Sequence, residues 1–163
     1  MFNLLKKEKS IMNEQQPNVT VNYNYMPPQA PLAQLKTNRG LIKFILLSLI
    51  TFGIYSIIYF SSISSDINII ASRNDGKKTM HFCLLCFIVA PITLGIGAIV
   101  WYHKLSARIG AELIRRGIGY RFSAGDFWLW CVLGSLILVG PFIYLHKLSN
   151  AMNLIAADYN TRG

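Results

Sequence analysis

The sequence predicts an all-α membrane protein with three transmembrane helices, made of a unit of about 43 residues that occurs three times. First, 53% of the 163 residues are hydrophobic and 14% are charged, whereas soluble domains carry about 25% charged residues. Second, apolar blocks of 20, 21 and 19 residues occupy 41–60, 82–102 and 127–145. Third, each block ends in a similar six-residue element, at 59–64, 101–106 and 144–149.

Residues 1–38 differ from the rest of the chain, because 13–31 are rich in Asn, Gln and Pro. Such a segment buries too little apolar area to offset the entropy lost on ordering. We therefore expect a disordered cytoplasmic tail, with pairing of 19–25 to the edge strand of a partner as the alternative. The first nine residues lack the apolar region of a signal peptide, so we expect the first apolar block to serve as an uncleaved anchor.

Each apolar block has the length of a membrane-spanning helix. At 1.5 Å per residue, 20 residues reach about 30 Å, the thickness of the hydrocarbon core of a bilayer. Lys43 is the only charged residue in the three blocks. Single crossings are therefore the preferred prediction. The alternative is that each block breaks near its central glycine and re-enters, which leaves arms of about 15 Å and backbone groups in need of partners.

An amphipathic helical extension is predicted after each block, within repeat units of about 41–75, 82–119 and 125–160 in a membrane domain over 39–160. Apolar residues at i, i+4 and i+7 line one face of a helix. They are Ile63, Ile67 and Ile70 in the first unit, Leu105 and Ile109 in the second, and Leu148, Met152 and Ile155 in the third. Residues 74–76 predict a closing turn, and 123–126 predict a helix-opening capping box.

The motif at 49–55, followed by Tyr59 and 66–68, returns at 95–105. This pattern resembles the domain-of-unknown-function family 4234, over roughly residues 39–160. The resemblance implies a small bacterial membrane protein with no assigned activity. Many members of that family carry a zinc ribbon before the membrane region. The tail of this chain has no cysteines, so we expect no metal-binding head.

The formal net charge of +9 would indicate nucleic-acid binding in a soluble domain. Here the basic residues flank apolar blocks, as the positive-inside rule predicts, so we expect a lipid bilayer as partner and no nucleic acid. With single crossings and a cytoplasmic N-terminus, ten Lys and Arg residues lie in the cytoplasm and five outside. The predicted location is the inner cell membrane, as a multi-pass protein with a cytoplasmic N-terminus.

Two sets of residues resemble chemical sites. His81, Cys83 and Cys86 have the spacing of metal ligands, but leucines separate the two thiols, so we expect packing and no metal. The odd cysteine count, with Cys131, argues against a disulfide framework. Glu112 precedes two arginines at i+3 and i+4, which predicts a solvated ion-pair face.

A further set is predicted to form packing or interface contacts. The His-Lys pairs after the second and third blocks suit headgroup anchoring, with a proton or ion relay as the alternative. The two asparagines of the extensions suit hydrogen bonds between helices rather than a ligand, and the glycines permit close helix approach. The set is Gly53, Asn68, Gly95, Gly97, His103, Lys104, Gly140, His146, Lys147 and Asn153.

No nucleophile with a base, phosphate-binding loop or pair of carboxylates is evident in the sequence, so we expect a non-enzymatic protein without cofactors. The preferred interpretation is a self-associating interaction or accessory protein, as a homo-oligomer or with a membrane-protein partner. The alternative is an oligomeric channel or transporter. Its path would be lined by Ser48, Thr51, Ser56, Thr93 and Ser135.

Overall fold

The computed structural model describes residues 30–163, which form helices joined by loops and contain no strand. The prediction of an all-α protein is therefore confirmed for this part of the chain. The helices are α1 (Leu41–Ile50), α2 (Ile54–Asp75), α3 (Phe82–Ile92), α4 (Ile96–Arg115), α5 (Ala124–Ile137) and α6 (Gly140–Arg162). Helix α3 contains a π-helical turn, and α5 contains a π-helical and a 3-10 segment.

Each apolar block is split into two helices, so the predicted continuous helices over 41–60, 82–102 and 127–145 are wrong. The chain reverses at 51–53, 93–95 and 138–139, which gives hairpin 1 (α1 and α2), hairpin 2 (α3 and α4) and hairpin 3 (α5 and α6). The physical reason is a left-handed backbone at each reversal. In hairpin 1, φ is +48° at Phe52 and +89° at Gly53, and in hairpin 2 it is +50° at Leu94 and +88° at Gly95. Two such residues in succession end a right-handed helix.

The hydrophobic core lies at one end of the molecule, where the later parts of the three long helices meet. We call 59–75, 101–115 and 144–162 the base bundle. The apolar faces predicted for the helical extensions are confirmed there, because each of these side chains is at most 1% exposed: Ile63, Ile67, Ile70, Leu105, Ile109, Leu148, Met152 and Ile155. Burial of each such side chain stabilises the fold by about 1.5–3 kcal/mol.

Repeated polar contacts link the three long helices. The Tyr59 hydroxyl lies 2.6 Å from Ser149 Oγ, and the Tyr144 hydroxyl lies 2.8 Å from Ser106 Oγ. Tyr59 and Tyr144 hold the same position in the repeated six-residue element, as do Ser106 and Ser149. The same pair of positions therefore joins α2 to α6 and α6 to α4. Phe60 and Tyr102, both at the second position of the element, also pack with ring centroids 5.3 Å apart, so the reversals lie at the end opposite the base bundle.

The segment before α1 packs on α6 and closes the bundle. The Leu32 amide donates to the Tyr159 hydroxyl at 2.9 Å. The backbone N–H and C=O of Leu35 both bond to the Asn160 amide, at 2.8 and 2.9 Å. The predicted disordered tail over 1–38 includes this segment, and its residues 1–29 lie outside the described residues. From residue 32 onward, the structure pairs the backbone with α6.

Apolar side chains remain exposed at the far end of the hairpins. All but four of the exposed large hydrophobic residues lie on α1, α3, α5, the reversals and the first parts of the long helices; the four are Leu32, Met80, Ile114 and Leu154. Within 30–163, one helix, Ile54–Asp75, has the length and apolar composition of a membrane span, and half of its apolar window is buried inside the protein. The outer helices α1, α3 and α5 are shorter, at 10–14 residues.

Candidate membrane-binding site

Thr51 and Gly53 make hydrogen bonds across the reversal of hairpin 1. The Thr51 hydroxyl donates to the Leu47 carbonyl at 2.7 Å and accepts the Tyr55 amide at 2.9 Å. The Gly53 amide donates to the Ser48 carbonyl at 2.7 Å. One threonine therefore joins the end of α1 to the start of α2, and the turn retains hydrogen bonds that do not depend on water.

Hairpin 2 repeats this turn. The Thr93 hydroxyl donates to the Val89 carbonyl at 2.6 Å and accepts the Gly97 amide at 2.9 Å. The Gly95 amide donates to the Ala90 carbonyl at 2.8 Å. A Cβ on Gly97 would lie 2.6 Å from Val89 Cγ1, so the absence of a side chain allows the two arms to approach. Gly95 and Gly97, predicted as packing residues, therefore shape one hairpin from within.

Hairpin 3 closes by a different contact. Ser135 Oγ donates to the Val132 carbonyl at 2.5 Å. A Cβ on Gly140 would lie 2.3 Å from both Gly134 Cα and the Trp130 carbonyl oxygen, so the helices touch through backbone at this point. Gly140 was predicted near the centre of a continuous helix. The structure instead places it as the first residue of α6, immediately after the reversal.

The most exposed residue of each reversal is large and apolar. Phe52, Leu94 and Leu138 are 98%, 92% and 79% exposed and have φ of +48°, +50° and +60°. We call them the apex residues. A left-handed backbone costs an ordinary L-residue about 1–2 kcal/mol, and Gly or Asn adopts it more readily. Each apex therefore combines a strained backbone with an exposed apolar side chain, and exposure of that side chain is unfavourable in water.

Charge is separated from these apices along the chain. Residues 44–65, 82–102 and 127–145 contain no Asp, Glu, Lys or Arg. Aromatic side chains pack together where the base bundle meets the rest of the hairpins, with ring centroids such as Phe44–Tyr59 at 4.8 Å and Phe60–Tyr102 at 5.3 Å. From the apices towards the base, the residues are therefore first uncharged and mostly apolar, and then charged.

Two ion pairs link parts of the base bundle to each other and to the segment before α1; the pair of Arg39 is buried and the pair of Arg108 is exposed. The Arg39 guanidinium, 5% exposed, pairs with Asp66 and donates to Ser62 Oγ. Burial raises the pKa of Asp66, and Arg39 beside it acts in the opposite direction. Arg108 of α4 bonds to both carboxylate oxygens of Asp75 at 2.7 and 3.0 Å. Burial alone would raise the pKa of Asp75, but the hydrogen bonds from Arg108 and nearby groups leave it lowered.

The predicted solvated face around Glu112 is wrong, because the Glu112 and Arg116 side chains are each only 4% exposed. Glu112 accepts from Arg115 and Arg116, and Arg116 also donates to Asp158 at 2.6 Å. Burial by itself would raise the pKa of Glu112, but the hydrogen bonds from both arginines outweigh it and lower the pKa. The i+3 and i+4 spacing identified the partners, but it could not show that α6 covers them.

The predicted asparagines each hold the segment that leads into a hairpin. The Asn153 side chain bonds to the N–H and C=O of Arg39, at 2.9 and 2.7 Å, just before hairpin 1. Asn68 bonds to the N–H and C=O of Thr79, at 2.7 and 2.8 Å, before hairpin 2. Sequence reasoning expected helix–helix bonds and missed these segments. The shared signal was the equivalent position of the two asparagines in the repeated pattern.

In α4, Gly110 stands where α2 has Asn68 and α6 has Asn153, nine residues after the start of the six-residue element. A Cβ there would lie 2.5 Å from the Phe122 carbonyl oxygen, so backbone contact replaces the asparagine bonds before hairpin 3. All three long helices thus support the segment entering a hairpin: α2 for hairpin 2, α4 for hairpin 3 and α6 for hairpin 1.

The histidines of the repeated His-Lys pairs contact different neighbours. The Trp128 indole N–H donates to His103 Nδ1 at 3.0 Å, which links α4 to α5. His146 Nε2 lies 3.1 Å from the Asn150 side-chain amide on its own helix. The structure thus places each imidazole against a separate partner.

The lysines of those pairs also differ. Lys147 forms an ion pair with Asp126 at the start of α5, where the predicted capping box with Ser123 is confirmed. Lys104 is exposed on α4.

The three cysteines are free and half-buried. Cys83 Sγ lies 3.3 Å from Ser61 Oγ, where α3 packs against α2. Among residues 30–163, no group of three or more His, Cys, Asp or Glu side chains is arranged to hold a metal ion. The cysteines thus lie within the packing of the hairpins.

Comparison with known proteins gives one match. The model of the family described as "Domain of unknown function (DUF4234)" matches residues 39–111, which cover hairpin 1 and most of hairpin 2. The resemblance predicted from the sequence motifs is therefore confirmed over that range. No curated protein and no solved structure matches the chain.

Proposed function

We propose that this is a membrane protein whose three hairpins are copies of one unit and enter one leaflet of the bilayer from the side of the base bundle. It acts without enzymatic chemistry, as a membrane-anchored interaction or accessory protein. The observation that carries the proposal is the set of three exposed apolar apex residues in left-handed conformation, Phe52, Leu94 and Leu138.

The length of the hairpins suits one leaflet. Their outer helices have 10–14 residues, which corresponds to about 15–21 Å. Half of the hydrocarbon core of a bilayer is about 15 Å thick. Arms of this length reach the middle of the bilayer and return, whereas a crossing requires about 20 residues in one helix.

The turns are suited to a medium without water. Unpaired backbone groups in hydrocarbon cost several kcal/mol each, which was the argument against re-entrant hairpins. In hairpins 1 and 2, Thr51 and Thr93 pair groups on both arms, and the Gly53 and Gly95 amides bond across the turn. This pairing supports insertion of the reversal itself.

Transfer of the apex side chains into lipid also offsets their backbone strain. Burial of a Phe or Leu side chain stabilises by about 1.5–3 kcal/mol, against a strain of about 1–2 kcal/mol. In water the strain would have no such compensation. The other exposed aliphatic residues on the hairpins add to the transfer free energy.

One-sided insertion also suits the charge distribution. With hairpins that return to their starting side, all Lys and Arg residues of 30–163 lie on the same face of the membrane. The positive-inside rule then favours the cytoplasmic face of an inner cell membrane, with both chain ends in the cytoplasm. This arrangement keeps the N-terminus cytoplasmic and removes the five outside charges that single crossings would require.

The repeated Tyr–Ser contacts and the equivalent roles of Asn68 and Asn153 support triplication of one unit. The base bundle has its own hydrophobic core, so we assign partner binding to its polar surface and self-association to the lipid-facing hairpins. For a channel, Ser48, Thr51, Ser56, Thr93 and Ser135 would have to line a path, and the Ser48 hydroxyl is the one of the five that is buried without a hydrogen-bond partner among residues 30–163. The hydroxyls of the other four donate to carbonyls of their own hairpins, which favours the scaffold over the channel.

Depth measurement tests the proposal. Nitroxide labels on Phe52→Cys and Leu94→Cys, in a background without native cysteines, are compared by power saturation with oxygen and a water-soluble nickel complex. We expect both labels deep in the hydrocarbon near the bilayer centre, with a control label on Thr161→Cys in water. Apex labels in water, or at the opposite headgroup layer, would contradict the proposal.

A further inference from the structure

We infer that a pocket at the base of hairpin 1 binds the phosphate of an anionic phospholipid. The inference rests on the proposed insertion of the hairpins, and it adds a ligand class to that site. The pocket is a cavity of about 80 Å³ between the segment before α1, the start of α1 and the first turns of α2. A cavity needs about 10–15 Å³ to hold a single water, so this cavity admits a larger group.

The positive charge of the pocket comes from its rim. Lys36 and Lys43 line it and are exposed, and neither ammonium group has an ion-pair partner among residues 30–163. Arg39 at the floor is buried and engaged with Asp66, so its charge is already matched. The rim therefore carries about two unmatched positive charges, which suits a phosphate with a net negative headgroup.

Polar donors complete the lining. The Tyr55 side chain borders the cavity, and its phenol can donate a hydrogen bond to a phosphate oxygen. Gly40 also lines it and is the N-cap of α1, with no side-chain cap on the helix. The uncapped amides of that end add to the field of the lysines.

The surroundings favour a lipid over free phosphate. Ile58 lines the same pocket and is 59% exposed, and Ile42 beside Lys43 is 73% exposed. An acyl chain leaving the pocket would therefore lie along an apolar surface of hairpin 1. Lys43 is also the only charged residue in the apolar blocks, and its position next to the packed ring of Phe44 corresponds to headgroup level.

The experiment measures lipid retained by the full-length protein in mild detergent containing phosphatidylglycerol and phosphatidylcholine. We expect enrichment of phosphatidylglycerol on the parent protein and a loss of roughly tenfold in its affinity for Lys36→Gln/Lys43→Gln. The matched control is Lys77→Gln/Lys78→Gln, which removes the same charge before hairpin 2. We expect less than a threefold change there.

Equal losses in both variants would overturn the pocket, because general electrostatic attraction would then explain the enrichment. Displacement of the lipid by millimolar inorganic phosphate would overturn the lipid assignment in favour of free phosphate. Spin-label depth at Leu94→Cys is measured in parallel. Deep labels with no selective lipid loss contradict only the pocket, whereas shallow labels contradict the insertion on which it rests.

Discussion

Replacement of the three apex residues by asparagine separates a lipid-facing role from a structural one. Asparagine adopts the left-handed conformation more readily than Phe or Leu, so Phe52→Asn, Leu94→Asn and Leu138→Asn should each relieve up to about 1 kcal/mol of strain in water. In lipid, each change forfeits about 1.5–3 kcal/mol of apolar transfer and introduces a polar amide. The two environments therefore predict opposite signs.

For the triple variant, the loss in lipid is about 5 kcal/mol or more, which corresponds to over a thousandfold in membrane partition. The assay is flotation with liposomes after dilution from urea, at a series of lipid concentrations. We expect half-maximal flotation to shift to far higher lipid concentration. Ile114→Asn is the matched control, because that side chain is 82% exposed but lies on the base bundle.

The base bundle should keep its thermal midpoint in mild detergent in the triple variant, since the apices do not contact it. If the triple variant floats at the same lipid concentration as the parent and the Ile114→Asn protein, the apices do not enter the bilayer. The reasoning from their exposure and backbone strain would then be refuted.

Three further predictions concern the base bundle and hairpin 3. Asn153→Ala removes two hydrogen bonds to the backbone before hairpin 1 and should cost about 1–3 kcal/mol, seen as a lower thermal midpoint than for the control Asn150→Ala, which removes one exposed side-chain bond to His146. Glu112 has a lowered pKa when folded, so its contribution to stability is present above its unfolded pKa and is lost as pH falls through the folded value. In Glu112→Gln the thermal midpoint should therefore fall less steeply at acid pH than in the parent protein. An unchanged dependence on pH would contradict this assignment. Gly140→Ala places a Cβ against backbone and should destabilise hairpin 3 by about 1–3 kcal/mol in urea titration, whereas Gly119→Ala, with open space around it, should not; equal effects would argue against the close crossing.

Much of the base bundle follows from the sequence. The i, i+4 and i+7 spacing of Ile63, Ile67 and Ile70 predicts one buried helix face, and all three are at most 1% exposed. The capping box at Ser123 is likewise a local pattern with a local structure. These features depend on residues within two helical turns, so periodicity and capping rules are sufficient to predict them.

The hairpins do not follow so directly. A 20-residue apolar block has the same composition whether it spans a membrane or reverses at its centre. The decisive feature is a left-handed Phe52 before Gly53, and left-handed backbone at a phenylalanine is not predictable from propensity. A threonine two residues before the glycine, in Thr51 and Thr93, is the repeated signal that could have indicated the turn.

Contacts between residues far apart in the chain could not be predicted from local sequence patterns either. The pairing of Leu35 and Arg39 with α6 joins residues more than 110 positions apart, and the composition of the preceding segment indicated disorder. Burial of Glu112 depends on Asp158 and the end of α6 in the same way. Such contacts become visible only once the three long helices are placed around a common axis.

The sidedness of the loops tests the central claim most directly. In a cysteine-free background, Lys78→Cys, Gly119→Cys and Thr161→Cys place single thiols after hairpin 1, after hairpin 2 and near the end of α6. Each is treated with an impermeant maleimide in intact spheroplasts and in inverted vesicles. One-sided hairpins predict that all three react in inverted vesicles and remain unlabelled in spheroplasts. Labelling of Lys78→Cys and Thr161→Cys from outside, with Gly119→Cys labelled from inside, would show three crossings and contradict the account.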